Sequence, residues 1–207
     1  MQKIEPLAHQ PAGYRLAADL FDDFDFESRW HWLVIGNLWA LLPLGVAALV
    51  LWLPYQFYMV LGAPLTLFPD PGWNPLLLGA LVVPGSMLLH EALHALALRA
   101  QGYPATLSFV RGYFYATTDG FLTRRAYLLM VLTPLSVMTL SGALLLLFLP
   151  VAIGQVVLIA LLLNAAASIG DLAVAQRALR QPSSALFADR DGGIKIFLPE
   201  IDSDPGG

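Results

Sequence analysis

The chain has 207 residues, of which 57% are hydrophobic and 13% are charged, and its net charge is −4. Soluble domains carry about 25% charged residues, so this composition excludes an ordinary soluble domain. The negative balance gives no basic footprint for nucleic acid, and the absence of cysteine excludes disulfides, thiolate zinc sites and cysteine nucleophiles. Any bound metal must therefore be held by histidine, aspartate or glutamate.

Residues 1–31 form an acidic segment without the basic start and short apolar core of a signal peptide. Behind it come apolar stretches that are each long enough to cross a bilayer, which takes about 20 residues. We predict spans at 32–53, 74–98, 126–149 and 155–175. The predicted fold is an all-α membrane protein, with a four-helix transmembrane domain over residues 32–180 and a tail over residues 181–207.

The basic residues predict the orientation of these spans. All eleven Lys and Arg residues lie before the first span, between the second and third, or after the fourth; the connections 54–73 and 150–154 contain none. The positive-inside rule therefore predicts cytoplasmic N and C termini. We expect an integral membrane protein in this orientation.

The connections themselves carry turn signals. The apolar stretch 54–73 is rich in Pro and Gly, and we expect a loop on the membrane surface. Gly102 is placed to close the second span as a left-handed cap. The stretch 106–117 predicts a short β-hairpin between spans two and three, and Asp191-Gly192 predicts the turn of a C-terminal β-hairpin.

The sequence HEALH in the second span predicts a metal site. On a helix, His90 and His94 lie about 40° apart around the axis and one turn apart along it, with Glu91 near their side. Two imidazoles on one face suit Zn²⁺, and the glutamate is placed as general base. Each ionisable group in a span costs about 2.5–3.5 kcal/mol on insertion scales, which favours function over packing.

A catalytic zinc needs a third protein ligand besides the two histidines. Apart from Glu91, Asp171 is the ionisable group deep in a predicted span. His94 precedes Arg99 by five residues and Asp171 precedes Arg177 by six, so at about 1.5 Å per residue both lie about 7–9 Å inside the first arginine. We therefore expect Asp171 at the level of the histidines.

Other polar residues of the spans have open roles. Asn164 lies two turns before Asp171 on the same face, where it is placed either to contact a substrate or to join helices. Ser168 and Thr133 are candidates for hydrogen bonds to the ligands, with packing as the alternative. Pro84 and Pro134 leave the carbonyls of Ala80 and Met130 without their helical donors; either kink is placed to open room for water near the site, and the alternative is that proline is common in spans.

These residues carry a family resemblance. HEALH, Asp171 in the last span and the β-rich connection resemble intramembrane zinc metalloproteases of the site-2 protease type. Over residues 75–199, including LTRRAYLLMVLTPL and DRDGGIKIFLP, the chain is similar to a bacterial membrane family described as putative zincin peptidases. The resemblance implies zinc bound by His90, His94 and Asp171, with Glu91 as the catalytic base. Unlike the site-2 pattern, Asn164 lacks a proline three residues later and glycine precedes Asp171.

The expected function is intramembrane proteolysis: zinc-dependent hydrolysis of peptide bonds in membrane proteins or peptides, near the cytoplasmic surface. An inactive zinc-binding membrane scaffold or chaperone is the alternative, and so is an ion carrier that uses the His and Asp cluster. Transporters usually show internal repeats, which this chain lacks. The sequence does not determine the substrate or the oligomeric state.

Overall fold

A computed structural model describes residues 10–20, 26–61, 75–110, 113–190 and 193–200. Within these ranges the chain is mostly helical, with five helices and two small antiparallel sheets. The helices, in chain order, are α1 (Phe26–Val60), α2 (Pro75–Ala100), α3 (Arg124–Leu146), α4 (Val151–Ala167) and α5 (Ile169–Leu179). The strands are β1 (Tyr14–Leu20), β2 (Thr106–Val110), β3 (Tyr113–Thr117), β4 (Leu122–Thr123), β5 (Leu186–Arg190) and β6 (Gly193–Pro199).

Three helical segments in the described ranges are long and apolar enough to cross a membrane: Leu41–Val60, Gly79–Ala100 and Arg124–Leu146. Large apolar side chains on the helices face outward; Leu49, Leu53 and Leu140 are 76%, 75% and 66% exposed. Exposed apolar surface of this extent is expected where lipid, and not water, surrounds the helices.

The fourth predicted span is not one continuous helix. Helices α4 and α5 meet at Ser168 with a bend of 42°, and they give a fourth span if the bent pair crosses as a unit. Both the N–H and the hydroxyl of Ser168 donate to the carbonyl of Asn164, at 3.0 and 2.8 Å. Such back-bonding by serine bends helices, which explains the break that apolar periodicity alone does not reveal.

Two other boundaries differ from the sequence expectation. Helix α1 begins at Phe26, before the predicted span, and continues through Pro54 to Val60, where a surface loop was expected. Proline is tolerated in such helices when neighbouring groups compensate for the lost hydrogen bond. The rest of the predicted loop, residues 62–74, lies outside the described residues.

The end of α2 forms as expected. Gly102 has φ of 83°, the N–H of Tyr103 donates to the carbonyl of Leu98 and that of Gly102 donates to Arg99. This pair of bonds is a Schellman motif, so the prediction of a left-handed glycine cap is confirmed.

Strands β2 and β3 pair antiparallel, with Thr106 opposite Thr117 and Phe109 opposite Phe114. The second sheet has the order β1-β6-β5-β4. Strand β1 pairs along β6 from Tyr14 opposite Pro199 to Leu20 opposite Ile194, a contact between the two ends of the chain that no local pattern predicts. Both stretches with a predicted hairpin are therefore strands, but the turns at 111–112 and 191–192 lie outside the described residues.

The larger sheet packs against one end of the helices. Tyr127 of α3 stacks on Phe187 of β5 with ring centroids 4.8 Å apart, and Ala175 and Ala178 of α5 are buried in the same cluster as Ile196 of β6. Small side chains on α5 let the sheet approach closely. This cluster stabilises the N-terminal half of α3 together with α5. These two helices supply hydrogen-bond and ion-pair partners to the histidines of α2.

Candidate metal centre

The site is built on α2, whose HEALH motif lies in a regular helical segment. His90 and His94 are 7% and 6% exposed, and their Nε2 atoms lie 3.2 Å apart. Their rings are 4.9 Å apart at an angle of 80°. A spacing of four residues brings both imidazoles to one face of the helix, so that both Nε2 atoms point to the same spot.

The other nitrogen of each ring has an acceptor on a neighbouring helix. Nδ1 of His94 lies 2.9 Å from the carbonyl oxygen of Met130 in α3, and Nδ1 of His90 lies 2.8 Å from Oδ1 of Asn164 in α4. A backbone carbonyl only accepts, so Nδ1 of His94 carries a proton, and with the Asn164 amide in this orientation Nδ1 of His90 carries one too. In the neutral imidazoles, each Nε2 then presents a lone pair.

Asp171 meets both histidines from the far side of the break. Its Oδ2 lies 3.1 Å from Nε2 of His90 and its Oδ1 lies 3.4 Å from Nε2 of His94. Asp171 belongs to the first turn of α5, where the partial positive charge of a helix N-terminus favours a carboxylate. The bend at Ser168 starts this helix inside the apolar region, and thereby places the carboxylate against α2.

The three groups fit a zinc ion. Two lone-pair nitrogens and a carboxylate converge without a donor between them, and Oδ2 of Asp171 is buried without a hydrogen-bond partner. Such a set of acceptors repels itself unless a cation lies among them. Zinc with bonds of about 2.0–2.2 Å places tetrahedral ligand atoms about 3.3–3.5 Å apart. The separations of 3.1, 3.2 and 3.4 Å are close to that geometry.

Glu91 points to the same region. A ligand atom of His90, Glu91 and His94 can be chosen so that all three lie within 4.8 Å of one another. Oε2 of Glu91 accepts a hydrogen bond from the backbone N–H of Ala116 in β3, at 3.0 Å. Leu107 of β2 stands opposite Ala116, and the N–H of Ala116 is directed to Glu91 of α2. The outer edge of β3 therefore lies beside the site.

Of the three other polar residues proposed from the sequence, Asn164 and Ser168 lie at the site and Thr133 does not. Asn164, 2% exposed, contacts His90 as described, and its Nδ2 is buried without a partner. Ser168 is fully buried and bonds Asn164. Thr133 is not brought to the histidines; its hydroxyl donates to the carbonyl of Leu129 in its own helix, at 2.5 Å. Met130 and Ala116 also belong to the site, and neither could be identified from a sequence pattern because both act through backbone atoms.

Asn164 gives a test of the hydrogen bond to His90. Replacing it by leucine leaves Nδ1–H of His90 without its acceptor, and loss of such an outer partner typically weakens metal binding by about 10–100-fold. Asn164→Asp retains an oxygen acceptor and is expected to bind zinc at least as tightly as the wild type. Competition titration with a zinc chelator measures both, and wild-type affinity in Asn164→Leu would contradict this assignment.

These observations define the class of the protein: a helical chain with membrane-type helices and an HExxH-type metal cluster. Residues 83–186, half of the chain, match the protein family described as "Putative zincin peptidase". The chain belongs to this family. The matched range includes His90, Glu91, His94, Asn164 and Asp171. No curated protein and no solved structure matches the chain significantly.

Proposed function

We propose that the chain is an intramembrane zinc metallopeptidase that hydrolyses peptide bonds of membrane-associated substrates. The observation that carries the proposal is the convergence of two imidazole lone pairs and a carboxylate at 3.1–3.4 Å, with Glu91 beside them. Membership of the zincin family supports the reaction class. The apolar helices that hold the cluster support a substrate in or at the membrane.

His90, His94 and Asp171 would hold the ion, which leaves a fourth position for water or substrate, as in catalytic zinc sites. When bound, zinc supplies a Lewis acid that activates water and polarises the scissile carbonyl. The hydrogen bonds from Nδ1 to Met130 and Asn164 keep the imidazole rings in the ligating orientation before the ion arrives.

Glu91 would move the proton. In the proposed reaction its carboxylate accepts a proton from the attacking water and delivers it to the nitrogen of the leaving amine. The water contributes its hydroxyl to the new carboxyl group, so the peptide bond breaks without a further reactant. The hydrogen bond from Ala116 restricts the rotamers of Glu91 and keeps the carboxylate directed at the site.

We further propose that substrate binds in an extended conformation along β3. A helical substrate hides its carbonyls in its own hydrogen bonds, so it must unwind before attack. An edge strand supplies backbone donors and acceptors to an extended peptide. The outer edge of β3 lies beside the proposed base, because the N–H of Ala116 donates to Glu91, and this placement supports the arrangement.

The proposed location is the bacterial cytoplasmic membrane, with both termini in the cytoplasm. Its support is the distribution of charge: Arg99 lies in the last turn of α2, Arg124 is the first residue of α3, and Arg177 lies in the last turn of α5. The positive-inside rule assigns such ends to the cytoplasm. The similarity to site-2 proteases, which the motif and the β-rich connection suggest, belongs to the same proposal.

Removing the metal tests this function. Purified wild-type chain, loaded with zinc and mixed with a peptide library digested from a membrane proteome, is expected to generate new peptide termini. Treatment with 1,10-phenanthroline should abolish these new termini, because the proposed reaction requires zinc as its Lewis acid. Added zinc should restore them. Mass spectrometry of the termini is the measurement.

The Glu91→Gln variant is the matched control for that experiment. Products that persist with the chelator would show a contaminating protease, whereas Glu91→Gln, with zinc still bound, should generate far fewer products than the wild type. Zinc-loaded wild type that generates no products from soluble or membrane-reconstituted substrates would contradict the peptidase, and would favour a zinc-binding scaffold.

A further inference from the structure

Pro134 occupies the interior of α3, fully buried, where a proline is costly. Proline destabilises a helix interior by about 3 kcal/mol relative to alanine, because it lacks the N–H and its ring clashes with the carbonyl four residues earlier. That carbonyl belongs to Met130. The carbonyl therefore needs a donor from elsewhere to compensate for the helical hydrogen bond that it lacks.

The orphaned carbonyl of Met130 has a partner on another helix. It accepts the hydrogen bond from Nδ1 of His94, at 2.9 Å, and Met130 itself is 3% exposed. In an uninterrupted helix this oxygen would accept from the N–H of residue 134 and lie along the helix axis. The proline removes that donor, and its ring displaces the carbonyl outward from the axis.

We infer that Pro134 is a positioning residue for His94. By leaving the Met130 carbonyl free, it supplies the acceptor that fixes the proton of His94 on Nδ1 and leaves Nε2 open toward His90 and Asp171. The inference rests on the proposed metal site, which it deepens by explaining how one ligand is oriented. His90 receives the equivalent support from a side chain, Asn164, whereas His94 receives it from a backbone atom.

The test replaces Pro134 by alanine and, separately, by lactic acid, the hydroxy acid with the same methyl side chain. Alanine restores the N–H at position 134; lactic acid places an ester oxygen there, which donates nothing. Pro54→Ala is the control, because Pro54 is another buried proline inside a helix, in α1. All three changes remove a proline ring. The two alanine variants also restore a backbone N–H, whereas lactic acid does not.

Zinc affinity is the first readout. Pro134→Ala is expected to bind zinc about 10–100-fold more weakly than wild type, the range typical for loss of an outer partner. The lactic acid chain should stay within about threefold of wild type, and so should Pro54→Ala. Equal affinities of the alanine and lactic acid chains would overturn the inference, because these chains differ at position 134 only in the donor.

The second readout needs no metal. The chain has four histidines, so ring ¹⁵N spectra of the metal-free protein can be assigned with a His94→Gln reference. The Nδ1–H tautomer of His94 is expected in wild type and in the lactic acid chain, and a shift toward Nε2–H is expected in Pro134→Ala. An unchanged tautomer would overturn the inference. A wild-type chain that keeps this tautomer but binds no zinc would instead contradict the proposed function.

Discussion

Replacing Asp171 by alanine is expected to abolish tight zinc binding while the helices remain folded. Its carboxylate lies against both imidazoles, with Oδ2 3.1 Å from Nε2 of His90 and Oδ1 3.4 Å from Nε2 of His94. A four-ligand structural zinc site is worth about 10–16 kcal/mol, or about 2.5–4 kcal/mol per ligand. At 1.4 kcal/mol per tenfold, the dissociation constant should rise by roughly a hundredfold to a thousandfold.

Two variants control for this loss. Asp171→Asn keeps an oxygen but not the charge, and its zinc affinity should fall between those of wild type and Asp171→Ala. Asp19→Ala removes a carboxylate that pairs with Lys195 at 3.1 Å in the four-stranded sheet, and it should bind zinc as the wild type does. Competition titrations of the purified chains measure all of these. Wild-type affinity in Asp171→Ala would show that the aspartate is a packing contact and not a ligand.

Replacing Glu91 by glutamine is expected to lower the turnover number by about 10²–10⁴-fold, the usual contribution of a general base. Glutamine has nearly the same shape and its amide oxygen still accepts from the N–H of Ala116, but it cannot take up the proton of the attacking water. Because Glu91 is not among the proposed ligands, zinc should remain bound. Parallel assays of cleavage and zinc content separate the two effects.

The two outcomes that oppose this expectation have different meanings. Unchanged cleavage with bound zinc would assign the general base to another group. Simultaneous loss of zinc and cleavage would assign Glu91 to the ligands, in place of Asp171 or beside it. In Asp171→Ala the loss of zinc is expected to cause the loss of cleavage, whereas in Glu91→Gln cleavage should fall with zinc still bound. This contrast identifies the role of each carboxylate.

Much of the site can be predicted from the sequence because its information is local. His90, Glu91 and His94 lie on one helix, and the spacing alone determines that both histidines share a face. Asp171 is remote in sequence, yet its depth can be derived from the distance to the next arginine in a span of the same direction. The structure brings this carboxylate to both imidazoles.

The parts that could not be predicted depend on contacts between distant segments or on backbone atoms. Pairing of β1 with β6 joins residues near opposite ends of the chain, and neither strand specifies the other. The N–H of Ala116 reaches Glu91 only because the strand pair lies against α2. The bend at Ser168 follows from one hydroxyl, which apolar periodicity treats as part of a continuous span.

Met130 is an intermediate case. Pro134 reveals from the sequence that its carbonyl lacks a helical donor, but not which group on another helix takes that donor's place. The structure gives the answer, since Nδ1 of His94 lies 2.9 Å from the oxygen. Prolines within predicted spans are therefore useful signals for polar sites, because each marks a carbonyl that needs a donor from elsewhere.

The most direct test of a zinc centre is the metal content of the full chain. The detergent-purified wild type, loaded with zinc and freed of excess metal by gel filtration, should contain about one zinc per chain by elemental mass spectrometry. A His90→Ala, His94→Ala double variant gives the blank and should contain almost none. Wild type that retains no more zinc than this blank after loading would contradict the metal centre, and with it the proposed peptidase.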